Sequence, residues 1–228
     1  MAIHTSLKGL FTAIADAIRG KEGTTDSIVA DHFPERIAAI QAQDHTDEDA
    51  IVLGALSTYV NARVTRISDH RFQSMHSLKS VEFPNVTLVG SYAFADCGYL
   101  KSAVMPNACG VWHSAFSGAG ISVFEMSDRR DPDYFYMFIS ECAFEWSKIS
   151  TLIIRQVNDL SRVVPLKDVN AFQQTPIASG TGYIYVPRAL VDSYKTAENW
   201  STFASQFRAL EDYTVDGTVT GDLGESKI

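Results

Sequence analysis

Large apolar residues recur along the chain at intervals that no single helix or strand produces. Five phenylalanines open comparable segments such as "AFADCGYL", "AFSGAGI" and "AFEWSKI". They are Phe72, Phe94, Phe116, Phe144 and Phe172, and their spacings are 22, 22, 28 and 28 residues. An aliphatic residue follows each one five or six positions later: Leu78, Leu100, Ile121, Ile149 and Ile177. Self-similarity at such a period is typical of a repeat protein.

A short alternating stretch comes after each aliphatic residue and predicts a strand with one buried face. The buried positions are Val81 and Phe83, Ala103 and Met105, Phe124 and Met126, Leu152 and Ile154, and Ile184 and Val186. One unit is too small to bury its own apolar side, so the units must stack roughly 4.8 Å apart. The pattern therefore predicts about five units with one continuous interior, within residues 51–187.

Helical spacing replaces this alternation at both ends of the chain. Apolar residues from Leu7 to Ile18 share one helical face, and "FPERIAAI" begins a second helix, which predicts a helical module at residues 1–42. Its apolar stripe packs either between the two helices or against other copies of the chain. After Pro187, "RALVDSYKTA" and "TFASQFRAL" predict a helical cap at residues 188–212.

Two polar segments complete the organisation. Residues 43–50 are acidic and predict a solvated linker, because they lack the order of ligands that an EF-hand calcium loop needs. Residues 213–228 predict a polar tail, mobile alone or adding a strand beside another chain. The predicted fold class is α+β: a stack of short parallel strands with a helical module before it and a helical cap after it.

Composition narrows the function classes. The formal charge of −8 and the pI near 5.2 argue against a sequence-independent nucleic-acid binder, which needs a basic surface. Three cysteines without a C-x-x-C pair make a disulfide framework improbable. The start of the chain is a poor signal peptide, and no segment is long enough for membrane insertion.

Catalytic and metal-binding patterns are missing from the sequence. None of the six histidines forms H-E-x-x-H, and there is no G-x-S-x-G elbow or phosphate-binding loop. Cys97 occupies the slot that Met75, Ala119, Ser147 and Thr175 fill in the other units, which favours a buried, space-filling thiol. We expect no catalytic residues, no metal and no cofactor. An unrecognised hydrolase ranks third, behind the two interaction functions described below.

The repeat itself resembles a known family. "VTLVGSYAFADCGYLKSAVMPN" is similar to a unit of the BspA-type leucine-rich repeat family, whose pattern is roughly V-T-x-I-G-x-x-A-F-x-x-C-x-x-L-x-S-V-x-F-P-N. Residues 64–126 follow this pattern well. Residues 139–187 follow it only at the phenylalanine, the aliphatic residue and the strand, which leaves a regular or an irregular arrangement open there. The resemblance implies a leucine-rich-repeat solenoid.

The flanks resemble segments of phage proteins. "LFTAIADAIRGKEGTTDSIVADHFPERIAAI" is similar to a module found ahead of such repeats in tail and other virion structural proteins of phages that infect Gram-positive and gut bacteria. The resemblance implies a virion location after synthesis in the host cytoplasm, other virion proteins as partners, a receptor of protein or glycan on the host, and a homo-oligomer such as a trimer. A cellular BspA-like adhesion or interaction protein is the alternative.

Two surfaces are candidates for partner or receptor binding. Residues between the buried strand positions point outward and become apolar toward the C-terminal end: Val104, Val123, Ile153, Tyr183 and Tyr185. Either the C-terminal helices cover this patch or another molecule contacts it. The insertion at residues 127–138 carries hot-spot residue types, namely Arg129, Arg130, Tyr134 and Tyr136.

Overall fold

The computed structural model describes residues 57–128, 137–215 and 218–219. The chain divides into two units, residues 1–50 and 51–228, and every described residue belongs to the second. The predicted module at residues 1–42 and the linker at 43–50 therefore lie outside the described residues.

Short parallel strands dominate the described part of the chain. In chain order they are β1 (Thr58–Val60), β2 (Arg66–Ile67), β3 (Ser80–Glu82), β4 (Leu88–Val89), β5 (Ser102–Val104), β6 (Gly110–Val111), β7 (Val123–Ser127), β8 (Phe138–Ile139), β9 (Thr151–Arg155), β10 (Tyr183–Val186), β11 (Phe207–Ala209), β12 (Thr214–Val215) and β13 (Thr218–Val219). All strand pairs are parallel except the antiparallel pair β12–β13.

The predicted strands pair in the predicted register. β1, β3 and β5 form one sheet, in which Tyr59, Val81 and Ala103 lie side by side. β7, β9, β10 and β11 form another, in which Phe124, Leu152, Ile184 and Phe207 share a row. Equivalent residues of successive units are thus neighbours, as a stack of repeats requires.

A second row of strands runs along the return segments, and the sequence pattern did not reveal it. β2, β4, β6 and β8 pair in parallel, with buried Ile67, Val89, Val111 and Ile139 in one row. These strands have two residues each, which is too short for an alternating pattern to be recognised. Each unit therefore contributes backbone hydrogen bonds on two sides of the same apolar interior.

The five repeat phenylalanines form one continuous stack, which confirms the predicted interior. Neighbouring rings are nearly parallel, with interplanar angles of 2–8° and centroids 5.1–5.6 Å apart. The five rings are at most 2% exposed. The rings stack as regularly across the 28-residue spacings as across the 22-residue spacings.

The turn around each phenylalanine links adjacent units. Residues two positions before and after the phenylalanine have positive φ angles: His70 and Ser74, Tyr92 and Asp96, Ser114 and Gly118, and Cys142 and Trp146. Left-handed backbone costs a non-glycine residue about 1–2 kcal/mol. The turns are nevertheless held, because Phe72 N donates to Ala93 O at 2.8 Å and Ser74 N to Ala95 O at 2.8 Å, and the next units repeat both bonds.

One strand ladder is interrupted between β5 and β7, which belong to different sheets. At this point the distance from phenylalanine to aliphatic residue shortens by one residue, from Phe94–Leu100 to Phe116–Ile121. The turn of the Phe116 unit is "SGAG", in which Gly120 packs against the carbonyls of Gly98 and Leu100. The break in the strand ladder thus lies before residues 139–187, the part for which the sequence left a regular or an irregular arrangement open.

The C-terminal cap is less helical than predicted. α1 (Val191–Thr196) is the one α-helix of the described residues, and Trp200–Gln206 is a 3-10 segment. The helix predicted over "TFASQFRAL" is wrong at its end, because Phe207–Ala209 is strand β11 on the edge of β10. Trp200 and Phe203 close the phenylalanine stack, with ring centroids 6.0 and 5.4 Å from Phe172.

Hydrogen bonds tie this cap to the long connection that follows β9. The Tyr194 hydroxyl donates to Gln156 Oε1 at 2.6 Å and accepts from Val164 N at 3.1 Å. Trp200 Nε1 donates to Val164 O at 2.6 Å.

Part of the predicted polar tail forms strands, since β12 and β13 pair as an antiparallel hairpin.

Candidate interaction surface

The predicted apolar patch on the outward face of the strands is only partly exposed. Val104 and Val123 are half-buried, and Tyr183 is 41% exposed. Ile153 is fully buried, so its prediction as a contact residue is wrong. Arg129, Arg130, Tyr134 and Tyr136 of the insertion lie outside the described residues.

The C-terminal segment explains the burial of Ile153. Glu125, Ile153, Tyr185 and Arg208 form one outward row across the sheet. The 3-10 segment Leu210–Asp212 packs near β9, and the Tyr213 ring lies 4.7 Å from that of Tyr185. Burial raises the pKa of both tyrosines, and the Arg208 guanidinium partly offsets this for Tyr185. The chain thus covers Ile153 and part of Tyr185 itself.

A buried ion pair lies on the same face. Arg155 Nε donates to Glu125 Oε1 at 2.8 Å, and both side chains are 1% exposed. Glu125 lies between the buried Phe124 and Met126 and therefore faces outward from the strand, yet it is buried as well. A pair this deeply desolvated contributes little net stability, but losing one partner is costly because the other charge stays buried.

Arg208 protects the free edge of the last sheet. Its guanidinium lies 4.5 Å from the Tyr183 ring centroid, and Nη1 donates to the carbonyls of Ser205 and Phe207 at 2.9 and 2.8 Å. A positively charged side chain on an edge strand hinders strand addition by another chain. Tyr183 is therefore held in a contact within the chain, which lowers its value as a free binding residue.

Exposed aromatic residues instead lie on the turns, where no sequence prediction placed a site. Tyr99 is 62%, Trp146 58% and Trp112 38% exposed. Their signal in the sequence was departure from the repeat, since Trp146 stands where the other units have Ser74, Asp96, Gly118 and Gln174. The phenylalanine of each unit is constant, whereas the residue two positions after it differs in every unit.

Residues 56–164 match the family model of the BspA type leucine rich repeat region, in six copies. The Phe172 unit lies beyond the matched residues of this repeat region, yet its ring continues the stack. No curated protein matches the chain.

Three turns of the repeat region carry a ladder of polar rings. His70 stacks on Tyr92 with centroids 4.9 Å apart, and the Tyr92 hydroxyl lies 2.9 Å from His113 Nε2. His113 Nδ1 lies 3.5 Å from Glu141 Oε1. The three rings and Glu141 thus connect four consecutive units, and the rings contact one another.

Among the described residues of the repeat region there is neither a thiol activated for catalysis nor a group arranged to bind a metal. Cys97 is fully buried and its thiol donates to Phe72 O at 3.0 Å, which confirms the predicted space-filling role. Burial raises the pKa of Cys97 to about 11, and burial with nearby Glu145 does the same for Cys142. Within residues 57–128 and 137–215, no group of three or more His, Cys, Asp or Glu side chains is arranged to hold a metal ion. No helix among the described residues could cross a membrane.

Proposed function

We propose that the protein is a non-enzymatic interaction protein whose leucine-rich-repeat solenoid displays side chains to a partner protein or a host surface. The observation that carries this proposal is the contrast between a uniform interior and variable turns that expose Tyr99, Trp112 and Trp146. Tryptophan and tyrosine are enriched at binding hot spots. A regular interior keeps such residues at fixed positions at little cost in conformational entropy.

The setting we propose is a phage particle, on the basis of the flanking segments that resemble virion proteins. In that setting the partners are other virion proteins, a host receptor and further copies of the chain. The match to the BspA type repeat supports the alternative of a cellular adhesion or interaction protein equally well.

Two measurements separate these settings. Quantitative mass spectrometry of purified particles is expected to find the protein at a fixed ratio to the major capsid protein, and its absence there would favour the cellular alternative. Adsorption of the particle to its host is expected to fall when the isolated protein is added first, which tests the receptor role independently.

A variant pair tests whether the turns are the binding surface. Tyr99→Ala with Trp146→Ala is expected to weaken binding at least tenfold, because two exposed hot-spot side chains are removed. Val60→Ala with Leu160→Ala is the matched control, since these side chains are 56% and 44% exposed but do not lie on the phenylalanine turns. Equal binding by both double variants would exclude the turn surface.

A further inference from the structure

The turn of the Phe116 unit leaves a gap in the row of exposed side chains. Asp96, Gly118 and Trp146 occupy equivalent positions in three consecutive units, with φ angles of 60°, 68° and 59°. Asp96 N donates to Ser117 O at 2.7 Å, and Gly118 N donates to Glu145 O at 2.8 Å, which fixes this order. Gly118 has no side chain, so no side chain of the Phe116 unit stands between Asp96 and Trp146 in this row. We call this space the glycine gap.

A carboxylate points into the glycine gap. Asp96 Oδ1 lies 3.0 Å from the position that a β-carbon of residue 118 would take. Asp96 is exposed, and its carboxylate has no hydrogen-bond or ion-pair partner among the residues that the structure describes. This oxygen is therefore available to a donor that enters the gap.

Exposed aromatic rings belong to both neighbouring units. Tyr99 follows Asp96 in the unit on one side, and Trp146 stands on the other, and they are 62% and 58% exposed. Trp146 Nε1 donates to Glu145 Oε1 at 3.2 Å, which keeps a second carboxylate at the edge of the indole. The exposed Lys148, two residues after Trp146, adds a positive charge beside these two carboxylates.

We propose that the glycine gap binds an arginine side chain of a partner protein. A guanidinium is planar, stacks on indole faces and pairs with a carboxylate, so it matches the exposed Trp146 and Asp96 of the two neighbouring units. Successive units are separated by 5.2 and 5.5 Å at their phenylalanine rings, and the missing side chain of one unit leaves room for one planar group. The inference rests on the proposed interaction function and specifies its partner chemistry.

The test uses the full chain and a short peptide of alternating arginine and glycine, with citrulline replacing arginine in the control peptide. The indole N–H signals of the three tryptophans are followed by NMR, and loss of one signal in Trp146→Phe assigns it. The arginine peptide is expected to shift the Trp146 signal saturably and leave that of buried Trp200 unchanged. Citrulline has the same shape without the charge and is expected to bind about tenfold more weakly.

Two charge variants sharpen the test without disturbing the turn. Asp96→Asn is expected to weaken arginine-peptide binding several-fold, and asparagine tolerates the left-handed backbone at this position. Lys148→Gln is expected to tighten binding, because the opposing charge is removed. Identical affinities for both variants and the wild type would overturn the assignment of Asp96.

Other outcomes identify a different ligand or leave only the broader function. No saturable shift, or equal shifts with both peptides, would overturn the proposal. A saturable shift with methyl glucoside in place of the arginine peptide would assign the gap to a glycan. Cell or particle binding at wild-type affinity in Asp96→Asn would retain the proposed interaction function and reject only this partner chemistry.

Discussion

The ring of Phe116 lies parallel to that of Phe144, with centroids 5.5 Å apart and 2° between their planes, although 28 residues separate them. The preceding pair, Phe94 and Phe116, has the same arrangement at 5.2 Å across only 22 residues. The insertion at residues 127–138 therefore does not alter the spacing of the interior, and stability should depend on each ring of the stack.

Phe116→Ala should be among the most destabilising single substitutions in the stack. Its ring contacts Phe94, Phe124 and Phe144 and is fully buried. Loss of such a side chain costs about 3–5 kcal/mol from transfer and cavity formation. Urea unfolding of the variant should show this loss, whereas Tyr99→Ala on the surface should stay within about 0.5 kcal/mol of the wild type. Similar losses for both variants would contradict the stack as the main source of stability.

Three glycines of neighbouring turns should respond differently to alanine. Gly98→Ala should be neutral or slightly stabilising, because no atom lies within 4 Å of the added β-carbon. Gly118→Ala should cost about 1–2 kcal/mol, because its φ is +68°. Gly120→Ala should cost more, because the β-carbon would meet the backbone carbonyls of Gly98 and Leu100. Thermal melts of the three variants check this order, and an equal effect at all three positions would refute it.

Tyr194→Phe should loosen the C-terminal cap. The buried hydroxyl donates to Gln156 Oε1 and accepts from Val164 N. Its removal therefore leaves two buried polar groups without this partner. A loss of about 1–3 kcal/mol is expected in urea unfolding. Tyr183→Phe is the control, because that side chain is 41% exposed and should tolerate the change. Equal stability of the two variants would show that the hydroxyl does not hold the cap.

Alkaline pH should destabilise the fold partly through Cys97. Its pKa is raised from 9.0 to about 11 by burial, so the folded state holds the proton more tightly than the unfolded state. This contribution is complete below about pH 9 and is lost as the pH rises toward 11. Cys97→Ala should flatten the decline in melting temperature across this window, because alanine does not titrate. The fold should tolerate the change, since Ala119 fills the equivalent slot in the next unit. An unchanged pH profile would assign the decline to other groups.

The spacing of phenylalanine and aliphatic residues was enough to predict the interior, because side chains in a stack of repeats face equivalent neighbours. The second strand row of β2, β4, β6 and β8 escaped prediction, since two-residue strands have no periodicity of their own. The left-handed residues escaped it too, because Tyr92 and Trp146 are not residue types that indicate positive φ.

The candidate site was predicted less well, for a reason visible at Ile153. Its place between buried strand positions correctly indicated the outward face, but the fully buried side chain shows that facing outward is different from being exposed. Tyr213, which lies far along the chain, packs on neighbouring Tyr185. Trp146 and Tyr99 are exposed, and among the residues that the structure describes no comparable segment packs on them.

The sequence by itself determined which repeat positions form the interior, since the repeat brings equivalent residues together whatever the rest of the chain does. Only the tertiary structure decided which outward residues remain in solvent, because this depends on segments that do not repeat. The covered Ile153, beside which the non-repeating Tyr213 packs on Tyr185, is the product of such a contact.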